Sequence, residues 1–310
     1  AACADCATKD CIAGSGEGQQ PLIQLARRAE QSAFATRPAQ PGCELWLFQE
    51  RKVGNMDCTF CLDCVQACPH DNVGIVGRLP TRELWDDPRR SGIGRFGERP
   101  DLAALVVVLV AGAFLNAFGM VAPVYALERW LAPILRIGSE PLLLALVFGG
   151  GLVVLPGLLV ILTAWGSRRL GKTGEPLRAN ALAYCYALTP LLGMWVAHYS
   201  FHFLTGALTI IPVAQGFLQS FGIAALGPPD WALAALISPE WTWLTPIAIV
   251  ALEVGLFGTL LTIGRIAARR ERGGRAWRAA LPWALLALAL FCVGAWLMMQ
   301  PMEMRGTFLA

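Results

Sequence analysis

Five long apolar runs constrain this chain more than anything else in it. They lie near residues 102–125, 141–165, 180–205, 243–265 and 279–299. Each is long enough to cross the ~30 Å hydrocarbon core of a bilayer as a helix. A helix satisfies its own backbone groups there, where irregular chain cannot. The chain is 55% hydrophobic and only 15% charged, with a mean hydropathy of +0.52, so the totals point the same way. We expect a multi-pass, α-helical integral membrane protein with a helical domain over 102–310.

The loops between the runs alternate in charge. The linker before the first run is basic, as are SRRLGKTGEPLR after the second and ARRERGGRAWR after the fourth. The loops at 128–140 and 228–240 are not. The positive-inside rule puts the basic loops in the cytoplasm. We therefore expect an inner (cytoplasmic) membrane protein whose N-terminal part lies on the cytoplasmic side, where thiols stay reduced. The segment 207–227, ALTIIPVAQGFLQSFGIAALG, would reverse this pattern as a sixth span. We expect it to be interfacial or re-entrant, broken by Pro212 and Gly216. A net charge of +3, spread in short runs beside apolar segments, gives no face for nucleic acid.

Eight of the ten cysteines lie before position 69. CTFCLDCVQACP, from Cys58 to Pro69, reads C-x2-C-x2-C-x3-C-P, the spacing with which bacterial ferredoxins hold cubane iron–sulfur clusters. Cys3, Cys6 and Cys11 form a looser C-x2-C-x4-C, and Cys43 stands alone in GCELW. In two-cluster ferredoxins the ligand sets cross, three cysteines of one motif joining the fourth of the other. Applied here, one [4Fe–4S] cluster takes Cys3, Cys6, Cys11 and Cys68, and the second takes Cys58, Cys61, Cys64 and Cys43. No cysteine of the eight is left over. Two departures stand out: the gap from Cys11 to Cys43 is long, and Glu44 follows Cys43 where proline is usual. A zinc knuckle competes for the second set, because C-x2-C pairs also suit tetrahedral zinc. A secreted disulfide framework predicts neither this spacing nor this start.

We expect residues 1–80 to form a small α+β ferredoxin-like two-cluster domain and 81–101 a basic membrane-surface linker. PLIQLARRAEQSAF has helical spacing, and HDNVGIVGR suits a short strand or turn. The chain opens inside a cysteine motif with no initiator Met, so we expect it to be processed or the later part of a longer polypeptide.

On Cys3–Cys11, GCELW and CTFCLDCVQACPHDN the chain resembles membrane-bound polyferredoxins. These join a two-cluster ferredoxin domain to membrane helices, and include accessory proteins of nitrate and nitrous-oxide respiration and membrane iron–sulfur proteins of cyclic electron flow. The resemblance covers about the first quarter. It implies an electron-transfer oxidoreductase component, working with other subunits of a redox complex, between a cytoplasmic-side partner and the quinone pool or a membrane partner. The other readings are a redox-sensing membrane protein and a ferredoxin-driven ion-translocating module.

Within the spans, His198 and His202 share a helix face at i and i+4. They are candidates for hydrogen-bonded structural residues, for a quinone headgroup site, or for haem. A bis-histidine haem needs a ligand from another helix, and none of the spans has another histidine. At the outer end of their helix they would lie a bilayer away from the clusters, too far for direct tunnelling. Glu253 is the one carboxylate well inside a span, and such groups suggest function by default. Asn116, Tyr184 and Tyr186 are read as helix-contact residues, and Cys185 and Cys292 as buried small hydrophobes. GSRRLGKT (166–173) fits the P-loop expression, but a membrane helix precedes it rather than a buried strand, so we read it as a chance match.

Overall fold

A computed structural model describes residues 2–15, 40–52, 54–75, 77, 80–85, 96–223, 225–238 and 242–301. The chain divides into two compact units, Ala1–Arg99 and Pro100–Ala310.

The first unit is built from single turns. Helices α1 (Ala2–Asp5), α2 (Asp10–Ala13) and α3 (Asp63–Gln66) are each one turn long. An isolated antiparallel bridge joins Ser15 to Gln40, and the Cys43 N–H continues it by donating to the Cys11 carbonyl at 3.2 Å. Gly42 permits this approach, since any side chain there would overlap the Ile12 carbonyl. No strand forms among the described residues, so the β part of the expected α+β lobe is not seen there. After Pro69 the chain makes a turn and then runs irregularly through Ile75, which leaves the turn of the two alternatives for HDNVGIVGR. The expected helix PLIQLARRAEQSAF lies outside the described residues.

The described residues of the second unit are mostly helical, and five helical runs are long and apolar enough to cross a membrane. They are α4 (Pro100–Phe118), the run Glu140–Gly171, the run Leu177–Ser220, α11 (Leu244–Arg270) and α12 (Gly274–Met298). The second run joins α6 (Glu140–Gly149) to α7 (Leu155–Gly171) through a π-helical turn at Gly150–Val154. The third strings α8 (Leu177–Cys185), α9 (Gly193–Gly206) and α10 (Ile210–Ser220) together through 3-10 turns, the first of which contains Pro190. At ~1.5 Å per residue that run is far longer than ~30 Å of hydrocarbon. Its tail, α10, keeps Ile210, Val213 and Phe217 exposed. The span ends differ from the expected ones at several places. α4 stops at Phe118 rather than near 125 because a new helix, α5 (Pro123–Leu135), starts on Pro123. This helix takes in the end of the expected first span and part of the loop expected at 128–140, and it buries Val124, Tyr125 and Glu128.

Helix α9 and the 3-10 turn before it touch α11 backbone to backbone. A methyl group on Gly255 would sit 2.7 Å from the Pro190 carbonyl oxygen, and one on Gly193 would sit 2.7 Å from that of Ala251. Ala251 and Gly255 form the small-xxx-small pattern that lets membrane helices approach closely. Gly255→Leu should therefore push the pair apart and cost about 3 kcal/mol. Unfolding in mixed micelles should show that loss, whereas Gly264→Leu, in open space on the same helix, should not.

Candidate functional site: two groups of cysteines

The cysteine loops carry unusual backbone. Of the seven described non-glycine residues with left-handed φ, five lie within three residues of one of these cysteines: Lys9, Trp46, Phe60, Leu62 and Asp71. Each such residue costs ~1 kcal/mol or more and persists only where its surroundings hold it. The gain is directional. Left-handed kinks fold successive N–H groups around a concavity that suits an anion. Here those donors meet sulfur. The Leu47 N–H donates to Cys43 Sγ (3.4 Å) and the Asn72 N–H to Cys68 Sγ (3.3 Å). Side chains add to them, with Gln49 Nε2 donating to Cys64 Sγ (3.4 Å) and Asn72 Nδ2 to Cys3 Sγ (3.1 Å).

The sulfurs sort into two sets. The Cys11 thiol is pushed up to about 11, by burial first and then by Cys68, Cys6, Cys3 and, last, Cys64. Cys64 is raised by burial, then by Cys43, Cys58 and Cys61, with Lys52 opposing. Each thiol thus feels mainly its own expected partners, and the Cys11–Cys64 pair links the sets. Cys58 is lowered, chiefly by the Phe60 backbone N–H, with the Lys52 ammonium helping against burial. Cys43, Cys58, Cys61 and Cys64 also line one cavity of about 190 Å³, together with Gln49 and Lys52. None of the ten cysteines is disulfide-bonded.

Among the described residues, no three His, Cys, Asp or Glu side chains are grouped to hold a single metal ion. Tetrahedral zinc needs all four donors ~2.0–2.3 Å from one centre. A cubane makes a different demand. It takes each cysteine at a separate iron corner, which spreads the sulfurs apart while keeping them in one pocket. Each set offers the four thiolates that a cubane takes, with N–H donors aimed at sulfur. No known protein family, curated protein or solved structure matches this chain.

Sequence reasoning missed Gln49, Lys52 and Asn72. An amide or a lysine near a cysteine carries no periodic signal, and only the folded loop shows which one reaches a sulfur.

The candidates in the helical unit do not come together as one site. His198 is 3% exposed, its ring lies 4.8 Å from that of His202, and the Nε2 atoms of both are buried without a hydrogen-bond partner. Glu253 sits elsewhere. It is exposed on α11 beside Val254 and Phe257, while Ala251 and Gly255 face α9. Asn116 Oδ1 is buried without a partner. Tyr184 stacks on Trp283 at 5.4 Å, and Tyr186 and Cys185 are buried as expected. Cys292 is a correction: it is exposed on α12, where a weakly polar thiol can face lipid at little cost. The P-loop match lies at the C-terminal end of α7, with Lys172 as its left-handed cap. A phosphate cradle needs a helix beginning there, and this one ends.

Proposed function

We propose that the protein is an electron-transfer subunit of a membrane redox complex. Its first unit holds two [4Fe–4S] clusters in a ferredoxin-like lobe, and its helices fix that lobe to the membrane and to partner subunits. The observation that carries this reading is the pair of four-cysteine sets with N–H donors on their sulfurs. Bound there, each cluster would supply a one-electron couple. The chain's part is to bind the clusters, to place positive N–H groups and Lys52 beside the sulfurs, and to keep two couples close enough to exchange.

The bundle supports an orientation. The basic loop after α7 meets the end of α11 through the Arg270–Glu175 ion pair, and α7 meets α12 beside it through a hydrogen bond from Ser167 Oγ to the Ala279 carbonyl at 2.8 Å. By the positive-inside rule that end is cytoplasmic, and the cysteine unit, which precedes α4, goes with it. Quinone remains the membrane partner of choice on this reading; as headgroup ligands His198 and His202, a bilayer away from the clusters, would need a further cofactor to bridge that distance. Haem has no second ligand here. The outward placement of Glu253 speaks against an ion-carrying site inside the bundle.

The test is anaerobic purification followed by iron and sulfide analysis and EPR after reduction. The expected result is two four-iron clusters per chain whose reduced signals interact, with re-oxidation by a quinone analogue. Zinc in place of iron, or no acid-labile sulfide, overturns the reading. Clusters that reduce but pass electrons to no quinone or partner protein would mark a redox sensor instead.

A further inference from the structure

We infer that Asn72 sets the reduction potential of the cluster held by Cys3, Cys6, Cys11 and Cys68, by donating to two of its sulfurs at once. This rests on the iron–sulfur reading above and goes past it to one residue. The backbone N–H of Asn72 reaches Cys68 Sγ at 3.3 Å, and its side-chain amide reaches Cys3 Sγ at 3.1 Å, on a residue 69 positions back in the chain. The left-handed Asp71 (φ 48°) makes the turn that sends both donors back to the sulfurs. One residue thereby closes the seam between the two segments that build this set.

Its effect on potential follows from charge. Reduction adds an electron that is shared with the thiolate sulfurs. N–H donors stabilise the more negative state more strongly, so they raise the potential. An amide does this without a titratable proton of its own. The other set uses different donors, the Leu47 backbone and the Gln49 side chain, the latter at 3.4 Å. The two potentials are therefore separately adjustable. Asn72 is exposed, so its side chain can be shortened without leaving a cavity.

The experiment is an EPR-monitored redox titration of the full chain in detergent. Asn72→Ala keeps the backbone donor and removes the side-chain one. At a fixed poise its reduced-to-oxidised ratio should fall about tenfold, which is about 59 mV for a one-electron couple, in the Cys3-set signal alone. Asn72→Asp should lower it further and make it pH-dependent, because the new carboxylate faces the thiolate. Gln49→Ala should move the other signal instead. An unshifted Cys3-set potential in Asn72→Ala, or equal shifts in both signals, overturns the inference while leaving the clusters in place. If Asn72→Ala does not retain that cluster, Asn72→Leu, which keeps the bulk and removes the donor, takes the measurement, and an unshifted potential there overturns it too. Absence of clusters from the unmodified protein would sink the iron–sulfur reading instead.

Discussion

Replacing Cys68 with alanine should destroy the cluster of the distant N-terminal cysteines and spare the one held by its own neighbours. Cys68 follows Cys64 by four positions, so a reading by proximity in sequence predicts the opposite. On the proposed reading, the contacts of the folded chain favour crossing. Cys68 is the sulfur that most affects Cys11, and Asn72 ties it to Cys3. Cys43, not Cys68, lines the cavity of Cys58, Cys61 and Cys64. Single variants should each lose half the iron, which does not say which half. Double variants do. Cys3→Ala with Cys68→Ala removes two ligands of one crossed set and should still retain half the iron. Cys61→Ala with Cys68→Ala strikes both sets and should retain almost none. Sequential pairing predicts the reverse for both doubles, so iron analysis of these two proteins separates the schemes. Alanine is the right replacement, because a serine oxygen could still bind iron.

What the sequence made legible, and what it did not, divides by the range of the interaction. The spans were readable because apolar length is a property of a continuous stretch, and all five reappear as helical runs. Their ends were less so. α10 continues α9 through Ala207–Thr209, where Pro212 and Gly216 had suggested a break. A proline near the start of a helix costs little, since its missing N–H would lack an intrahelical partner there anyway. α5 was hidden for the opposite reason, because it is only 13 residues long and its apolar residues are interrupted by Glu128 and Arg129. The cysteine sets could be guessed from spacing, since the motif itself encodes a loop. The amide donors could not, because nothing local distinguishes Gln49 or Asn72 from any other polar loop residue. The exposed position of Glu253 was equally hidden. Hydropathy places a residue in a span, but only packing decides which way it faces.

The same division governs the largest stability effect expected in the helical unit, at Asn180. This residue is fully buried where α7, α8 and α12 meet. Its Nδ2 donates to Ser167 Oγ (3.2 Å) and to Glu175 Oε1 (2.8 Å), and its Oδ1 accepts from Trp283 Nε1 (3.3 Å). Glu175 in turn pairs with Arg270 of α11, so one side chain joins four helices. A single interhelical hydrogen bond in a membrane protein averages only ~0.6 kcal/mol. Three bonds at that rate would total about 2 kcal/mol. Asn180→Leu does more than delete them, since it leaves the Trp283 N–H buried against an apolar neighbour, and an unmet buried donor costs ~1–3 kcal/mol. The expected loss is therefore about 3 kcal/mol, read as a lower midpoint in detergent unfolding. Asn180→Asp should be worse, because it exchanges the donor facing Glu175 for a second carboxylate. If the midpoint of Asn180→Leu equals that of the unmodified protein, the hub is ornamental and the bundle is held by shape alone. Iron content should not change in either variant, since the eight cysteines belong to the other unit.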